Sequence, residues 1–222
     1  MLVAMGLVLI LAGCASVSVQ PGSEVATKAM PQKVYVEGFA TSQGDFKVDR
    51  TDTDLALFKS NLDVMMRVAI TTDLTDRLIP AVAADNSHPW PRENAWLIRG
   101  EFTRVNQGSR LLRGVVGFGA GGTKLETRVE VYDLSGDTSR PFLTFATTGG
   151  SNAEPGAVTA IATDPLTIAV EAVAGGAGGV AHGLSEDTKR TAREITAQLS
   201  DYMYRSGWIT EDKWIKPKQY SN

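Results

Sequence analysis

The chain has 222 residues, a formal net charge of −3 and 21% charged residues. This length allows one substantial domain with extensions. The slight negative charge gives no sign of nucleic acid or of an anionic membrane surface as a partner. The 22 glycines and the 7% aromatic content predict a protein that is rich in loops or packed through small side chains.

The first segment is an apolar run over Leu2–Ala12, which is too short to span a bilayer and has the length of the hydrophobic part of a secretory leader. It ends in Leu11-Ala12-Gly13-Cys14. This sequence resembles the bacterial lipobox, in which a lipid is attached to the cysteine sulfur and the chain is cut before that residue. The resemblance implies a leader over 1–13, a membrane anchor of acyl chains on Cys14 and, because Ala15 follows, the outer membrane.

Cys14 is the only cysteine, so an intramolecular disulfide is excluded. Its other interpretation is a buried or incidental thiol. No Lys or Arg precedes Lys28, although such leaders usually begin with positive charge, which leaves open a start codon upstream of Met1. Residues 14–32 have no helical periodicity and are rich in Ser, Val, Pro and Gly. We interpret them as a flexible tether to a single periplasmic domain over 33–222.

The predicted domain opens with a strand over Val34–Phe39, where residues of opposite character alternate. A helix is predicted over Leu55–Ala84, because apolar residues recur every three or four positions, and Pro80 should bend or end it. In the loop that follows, Trp90 lies between two prolines. Its indole either binds a sugar or a partner or, as we favour, covers the edge of the core.

Alternation also predicts strands over Trp96–Thr103, Lys124–Asp133 and Phe142–Thr147, which as sequence neighbours should form an antiparallel meander. A Gly- and Ala-rich segment over 165–183 follows, and we assign it to small-residue packing or to a mobile segment. A last helix is predicted from Ser185 as its cap to Gly207, with Glu194 on its water-facing side. The expected class is therefore α/β of the α+β type, with a small, mostly antiparallel sheet covered by the long N-terminal helix and the C-terminal helix.

The segment from Gly108 to Asp133 dominates the middle of the chain. Gly117, Gly119 and Gly122 fit the spacing G-x-G-x-x-G, but a dinucleotide site needs a helix after the glycines to hold the pyrophosphate. The alternation that begins at Lys124 predicts a strand there instead. We therefore interpret these glycines as turns or close backbone contacts.

Arg110 and Arg113 flank this segment and allow two interpretations. With Gly117, Gly119 and Gly121 they could bind a phosphate or a carboxylate. We favour the alternative, in which both arginines pair with acids on neighbouring strands. The acids available for such pairs are Glu101, Glu126 and Glu130.

The sequence contains none of the residue patterns that catalysis usually requires. His88 and His182 are the only histidines, no G-x-S-x-G sequence occurs, and the ligand spacings of a zinc site are missing. We therefore predict no enzymatic activity, no metal and no cofactor, and we rank a cell-wall hydrolase with two distant carboxylates as the third possibility.

Several stretches together resemble a known bacterial lipoprotein family, the domain of unknown function 4410. They are Leu97–Phe102, the run Gly108-x-Arg110-x-x-Arg113 with Gly117-Phe118-Gly119-Ala120-Gly121, the alternating strand that ends at Asp133, and the Gly/Ala-rich segment before the last helix. The resemblance implies no assigned activity. It implies a compact α/β periplasmic domain like those of other outer-membrane lipoproteins, including synthase activators and secretion-pore subunits.

The sequence thus predicts a lipid-anchored, non-enzymatic module that faces the periplasm from the outer membrane. Its partners would be the membrane, through Cys14, and another envelope protein or a cell-wall polymer. The alternative is a sensor for a small ligand or anion, built on Arg110, Arg113 and the glycine-rich turn.

Overall fold

The computed structural model describes residues 16–85, 90–108, 122–151, 165–174 and 182–218. Within these ranges the chain forms seven strands and three α-helices. In chain order they are β1 (Ser16–Glu24), β2 (Lys33–Ala40), β3 (Asp45–Lys47), α1 (Asp52–Arg77), β4 (Ala81–Ala83), β5 (Ala95–Asn106), β6 (Thr123–Asp133), β7 (Leu143–Ser151), α2 (Pro165–Ala174) and α3 (His182–Arg205).

The strands form one sheet in the order β1-β7-β6-β5-β2-β4, with β3 paired to β5. The predicted meander is confirmed, because β5, β6 and β7 are successive antiparallel neighbours. β2 instead runs parallel to both β4 and β5, since α1 and its connections return the chain to the end where β2 began. The α/β class is confirmed, but the sheet is mixed and larger than the small sheet predicted.

The prediction of a flexible tether over 14–32 is wrong for residues 16–24. These residues form β1, which pairs antiparallel with β7 at one edge of the sheet. Val17 and Val19 are buried, and Arg205 on α3 donates to both carboxylate oxygens of Glu24 at 2.7 Å. The segment is ordered because Val17 and Val19 complete a hydrophobic face of the sheet. Its content of Ser, Pro and Gly gives no sign of this in the sequence.

The first helix ends earlier than predicted. α1 stops at Arg77, and Ile79 N donates to Leu74 O at 2.8 Å as the chain turns into Pro80. Proline cannot donate a backbone hydrogen bond within a helix, so the chain continues extended. Residues 81–83, predicted as helix, form the edge strand β4.

One hydrophobic core lies between the sheet and the helices. Phe58, Leu62 and Met66 on α1 pack with Ile98 and Phe102 on β5, which alternate with residues of the opposite sheet face. Leu166 and Val170 attach α2 to this core, and Ala192, Ile195, Leu199 and Tyr202 contribute the predicted apolar face of α3.

α3 is covered on almost every side. Ser185, predicted as the cap, is buried inside the helix, which already begins at His182. Glu194, predicted to face water, is buried because the C-terminal tail lies over it, and Lys218 N donates to its Oε2 atom at 2.8 Å. Burial raises the pKa of this carboxyl. Gly207 follows the helix with φ +73°, a conformation that glycine adopts at little cost.

Candidate functional site

The predicted ligand-binding residues Arg110, Arg113, Gly117, Gly119 and Gly121 lie outside the described residues, as do Cys14 and His88. The strands on either side of the glycine-rich segment are described. β5 and β6 form an antiparallel pair with Asn106 opposite Lys124, and Gly108, with φ +75°, donates its N–H to Asn106 Oδ1 at 2.8 Å. The segment that follows the glycines is therefore a strand, and the helix of a dinucleotide site is not there.

The three acids proposed as partners of Arg110 and Arg113 are bonded to other side chains. Arg128 Nη1 lies 2.5 Å from Glu101 Oε1 on the neighbouring strand. Glu126 accepts from Lys124 at 3.0 Å and lies 3.7 Å from Arg104, and the Tyr132 hydroxyl donates to Glu130 at 2.6 Å. Cross-strand ion pairs therefore occur on these strands, and the pairing of Arg110 and Arg113 stays a prediction.

These pairs line the face of the sheet that points away from α1 and α3, here called the open face. Its most buried charged residue is Glu37 on β2, which is 4% exposed. Arg99 on β5 donates to it twice, from Nε at 2.5 Å and from Nη2 at 3.3 Å. Trp90 Nε1 donates to Glu37 Oε1 at 2.8 Å, so the carboxylate receives both a cation and a neutral donor.

Aromatic rings surround this ion pair. The Arg99 guanidinium lies 5.1 Å from the centre of the Tyr132 ring, and Trp90 packs on Tyr35 with ring centres 5.0 Å apart. Burial, and next the bond to Glu130, raise the pKa of Tyr132. The group formed by Glu37, Trp90, Arg99 and Tyr132 is called the Glu37 cluster below. It arranges charge and aromatic surface side by side on the sheet face opposite the three described helices.

Trp90 takes the role that the sequence analysis favoured. Its half-buried ring packs on a small second core formed by Ala95, Leu97, Tyr132 and Leu134. Beside it, Tyr35 donates to Glu93 at 2.6 Å and Lys33 lies 3.0 Å from the same carboxylate. The bond from Tyr35, and next that from Lys33, lower the pKa of Glu93.

A second region of interest is one end of the sheet, where Ser16, Gly150, Lys124 and Asn106 lie side by side on four strands. It is called the Ser16 end. There the Thr123 hydroxyl donates at 2.6 Å to Asp187, a fully buried carboxylate on α3 that also accepts from Arg190 at 2.9 Å. Burial raises the pKa of Asp187, and the bond from Thr123 opposes that effect.

No three His, Cys, Asp or Glu side chains of the described ranges form a group that could hold a metal ion. Among the helices of those ranges, none combines the length and the apolar character needed to cross a bilayer.

The sequence analysis missed the Glu37 cluster and Asp187. Alternation on β2 places Glu37 on the same face as Tyr35, but its burial depends on Arg99 and Trp90, which belong to other elements. Nothing in the local sequence distinguishes Asp187 from the exposed acids of a first helical turn. Its burial follows from the packing of α3 on the start of β6.

Comparison with solved structures gives two PelC structures from Paraburkholderia phytofirmans, both described as dodecamers. A single-residue variant is 14% identical, with 71% of this chain and 93% of that chain covered and a TM-score of 0.34. PelC in a second crystal form is 12% identical, with 78% and 97% covered and a TM-score of 0.36. Likenesses this weak carry no inference about function.

No curated protein matches the chain. A family model does match, over residues 34–172, which is more than half of the sequence. The match begins in β2, ends in α2 and includes the Glu37 cluster and the glycine-rich segment. The chain belongs to the family described as Domain of unknown function (DUF4410).

Proposed function

We propose that this protein is a lipoprotein of the bacterial outer membrane, anchored through Cys14, whose domain faces the periplasm and acts as a non-enzymatic binding or assembly module. The observation that carries the proposal is the position of Cys14. It follows an apolar leader-like run and precedes Ser16, the first residue of β1, by two positions. A lipid on that sulfur would hold a folded domain at the membrane.

The open face of the sheet is the surface we propose for binding. Its residues form cross-strand ion pairs, such as Glu101 with Arg128, together with the aromatic side chains of the Glu37 cluster. Fixed charges of both signs next to aromatic rings suit a protein surface or a polar envelope polymer, because such surfaces bind through many complementary polar contacts.

Anchoring is tested by growing cells with radiolabelled palmitate. The wild-type chain should take up the label and remain with the outer-membrane fraction. The Cys14→Ser variant should take up no label and be released as a soluble periplasmic protein. A wild-type chain that never acquires label would overturn the anchoring part of the proposal.

Binding is tested by crosslinking in intact cells followed by mass spectrometry. The matched variant exchanges two charges, Glu101→Arg together with Arg128→Glu, so the ion pair within the chain is kept while its polarity on the open face is reversed. We expect this variant to fold with unchanged thermal stability and to lose the crosslinked partner. Equal crosslinking by both chains would exclude this part of the open face as the binding surface.

The alternative function, anion sensing by Arg110 and Arg113, makes a different prediction. Nucleotides, phosphosugars or muropeptides at millimolar concentration should then stabilise the purified domain, because a ligand far above its Kd stabilises the folded state. Stabilisation that is lost in the Arg110→Ala, Arg113→Ala double variant would replace the binding-module proposal with a sensor.

A further inference from the structure

α2 is apolar on nearly all sides. Of its ten residues only Glu171 is charged. Leu166 and Val170 are buried in the core, whereas Ile168 is 61% exposed and Ala172 is exposed on the same side, one helical turn further on. Ile168 and Val25, at 62%, are the two most exposed large aliphatic side chains of the described residues. The described residues leave this outer face uncovered.

The single charge of α2 belongs to Glu171, whose side chain is 47% exposed and pairs with α3. Glu171 Oε1 lies 3.5 Å from Lys189 Nζ, and Lys189, which is buried, also pairs with Glu186 one turn before it on α3. An ion-paired carboxylate costs less to bring next to an apolar phase than an isolated one. Glu171 is therefore compatible with an apolar surface in front of α2.

The ion pair also locates α2 at the Ser16 end. Lys189 lies two residues after Asp187, whose carboxylate accepts from Thr123 at the start of β6. Lys124, the next residue of β6, is aligned with Gly150 on β7, and Gly150 with Ser16 on β1. From Ser16 to Cys14 the chain spans at most about 7 Å, because two residues extend no further.

The other exposed large apolar residues of the described ranges divide between the two ends of the sheet. Leu57, 40% exposed, lies in the first turns of α1, where Lys59 Nζ is 4.4 Å from the ring of Phe46 on β3. β3 pairs with the last residues of β5, so Leu57 belongs to the Ser16 end. Val82, 45% exposed, lies at the opposite end, level with Tyr35 and Tyr132. Val25, 62% exposed, also lies at that opposite end, where its N–H donates to Phe142 O.

We propose that the outer face of α2, centred on Ile168 and Ala172, lies in the headgroup region of the bilayer that holds Cys14. This inference rests on the proposed anchoring. The short span from Cys14 to Ser16 keeps the lipid and α2 at the same end of the domain, and an apolar helix face binds the membrane interface by burying its side chains there. α2 carries no Lys or Arg, so the contact does not depend on anionic lipid.

The test measures the reactivity of an introduced thiol toward a membrane-impermeant maleimide. Cys14 is the only native cysteine and its sulfur is blocked when lipidated, so Ile168→Cys places a single reactive thiol on α2. The lipidated chain is reconstituted in phosphatidylcholine vesicles, with Val82→Cys as the matched control at the opposite end. Ala172→Cys repeats the measurement on the α2 face should the first variant fold poorly. The soluble reference for each carries Cys14→Ser in addition.

We expect the thiol at 168 to react about tenfold more slowly in vesicles than in the soluble reference, because maleimide reacts only with accessible thiolate. The thiol at 82 should react at the same rate in both. Equal rates at 168 in vesicles and in solution would overturn the inference and leave the anchoring intact. Slow reaction at 168 in both would also overturn it, since protein and not lipid would then cover the face. If the native Cys14 of the wild-type chain reacts, the lipid is missing and the proposed anchoring fails.

Discussion

The two faces of the sheet are stabilised in different ways. The face under α1 and α3 is filled by aromatic and aliphatic side chains such as Phe102, Ile98 and Leu62. On the open face, Glu37, Arg99, Glu101 and Arg128 form ion pairs between neighbouring strands. Adjacent residues of β5 belong to different faces, so a single strand takes part in both arrangements.

If the open face binds a partner as proposed, this difference separates the residues that stabilise the fold from those that recognise the partner. Burial of apolar area under the helices supplies stability that depends on volume and shape and not on any one partner. Ion pairs near water contribute little to stability, but they fix the position and sign of charge. Substitutions under the helices should therefore lower the free energy of unfolding. Substitutions on the open face should mainly affect the proposed binding.

The largest effect is expected for Phe102→Ala. Phe102 is buried and contacts the rings of Phe39 and Phe46 at 5.6 and 6.5 Å between centres. Its removal leaves a cavity and should lower the free energy of unfolding by about 3–5 kcal/mol. Chemical denaturation of both chains measures the difference. A loss below about 1 kcal/mol would contradict a core that depends on close packing.

The next effect is expected for Glu37→Ala, which tests the least exposed ion pair that the described strands carry on the open face. Arg99 and Trp90 would lose their bonds to this carboxylate. Breaking a buried pair from one side is costly, and because Arg99 is partly exposed we expect a loss of about 2 kcal/mol in unfolding free energy. Glu37→Gln, which keeps an acceptor for the Trp90 indole, should lose less. Equal losses would mean that the charge alone stabilises the fold here and that the acceptor for Trp90 adds nothing.

A third prediction concerns Asp73, a buried carboxyl on the helix side. Burial raises its pKa above the ordinary value of 3.8, against the opposing effects of Thr196 and Arg77. A raised pKa favours the folded state at low pH. This contribution is complete below pH 3.8 and is lost as the pH rises through the raised value. Asp73→Asn should therefore stabilise the protein at pH 7, by on the order of 1 kcal/mol, with little effect at pH 4. Thermal unfolding at both pH values measures it, and a destabilised variant at pH 7 would refute the argument.

The smallest effect is expected for Arg128→Ala on the open face. Its partner Glu101 lies next to Phe102 in the sequence, and the Arg128 side chain is mostly exposed. Exposed ion pairs contribute at most about 1 kcal/mol, so unfolding should change by less than that. Glu101→Ala is the matched control and should behave alike. A loss above about 1 kcal/mol from either variant would mean that the open face also stabilises the fold, contrary to the contrast with the helix side.

Local pattern was sufficient to predict elements whose two faces differ within one stretch of chain. The alternation from Lys124 to Asp133 corresponds to β6, and the apolar spacing from Leu55 onward corresponds to most of α1. β1 escaped prediction because only Val17 and Val19 mark its buried side, while its partner strand lies more than a hundred residues away. The tail over Glu194 is also non-local, because Lys218 lies 24 residues further along the chain.

The candidate site was less predictable than the fold. Glu37 and Arg99 are ordinary strand residues until the parallel pairing of β2 with β5 places them side by side. Local sequence patterns identify both strands, but they do not show that β2 and β5 are neighbours in the sheet. Arg110 and Arg113 attracted attention through the glycines around them, and whether they bind an anion stays a prediction.

The bond from Val19 N to Lys218 O, 2.8 Å long, ties the outermost strand to the end of the C-terminal tail. If the chain crosses a membrane with its N-terminus first, as the proposed anchoring requires, β1 is exposed long before β7 and the tail can cover it. β1 pairs with β7 and with the tail, which lie more than one hundred residues later in the chain, and contacts between such distant residues form slowly. Chaperones that hold unfolded chains would find their most exposed target in the segment next to Cys14, and loss of the last few residues should trap the protein with that edge open to aggregation.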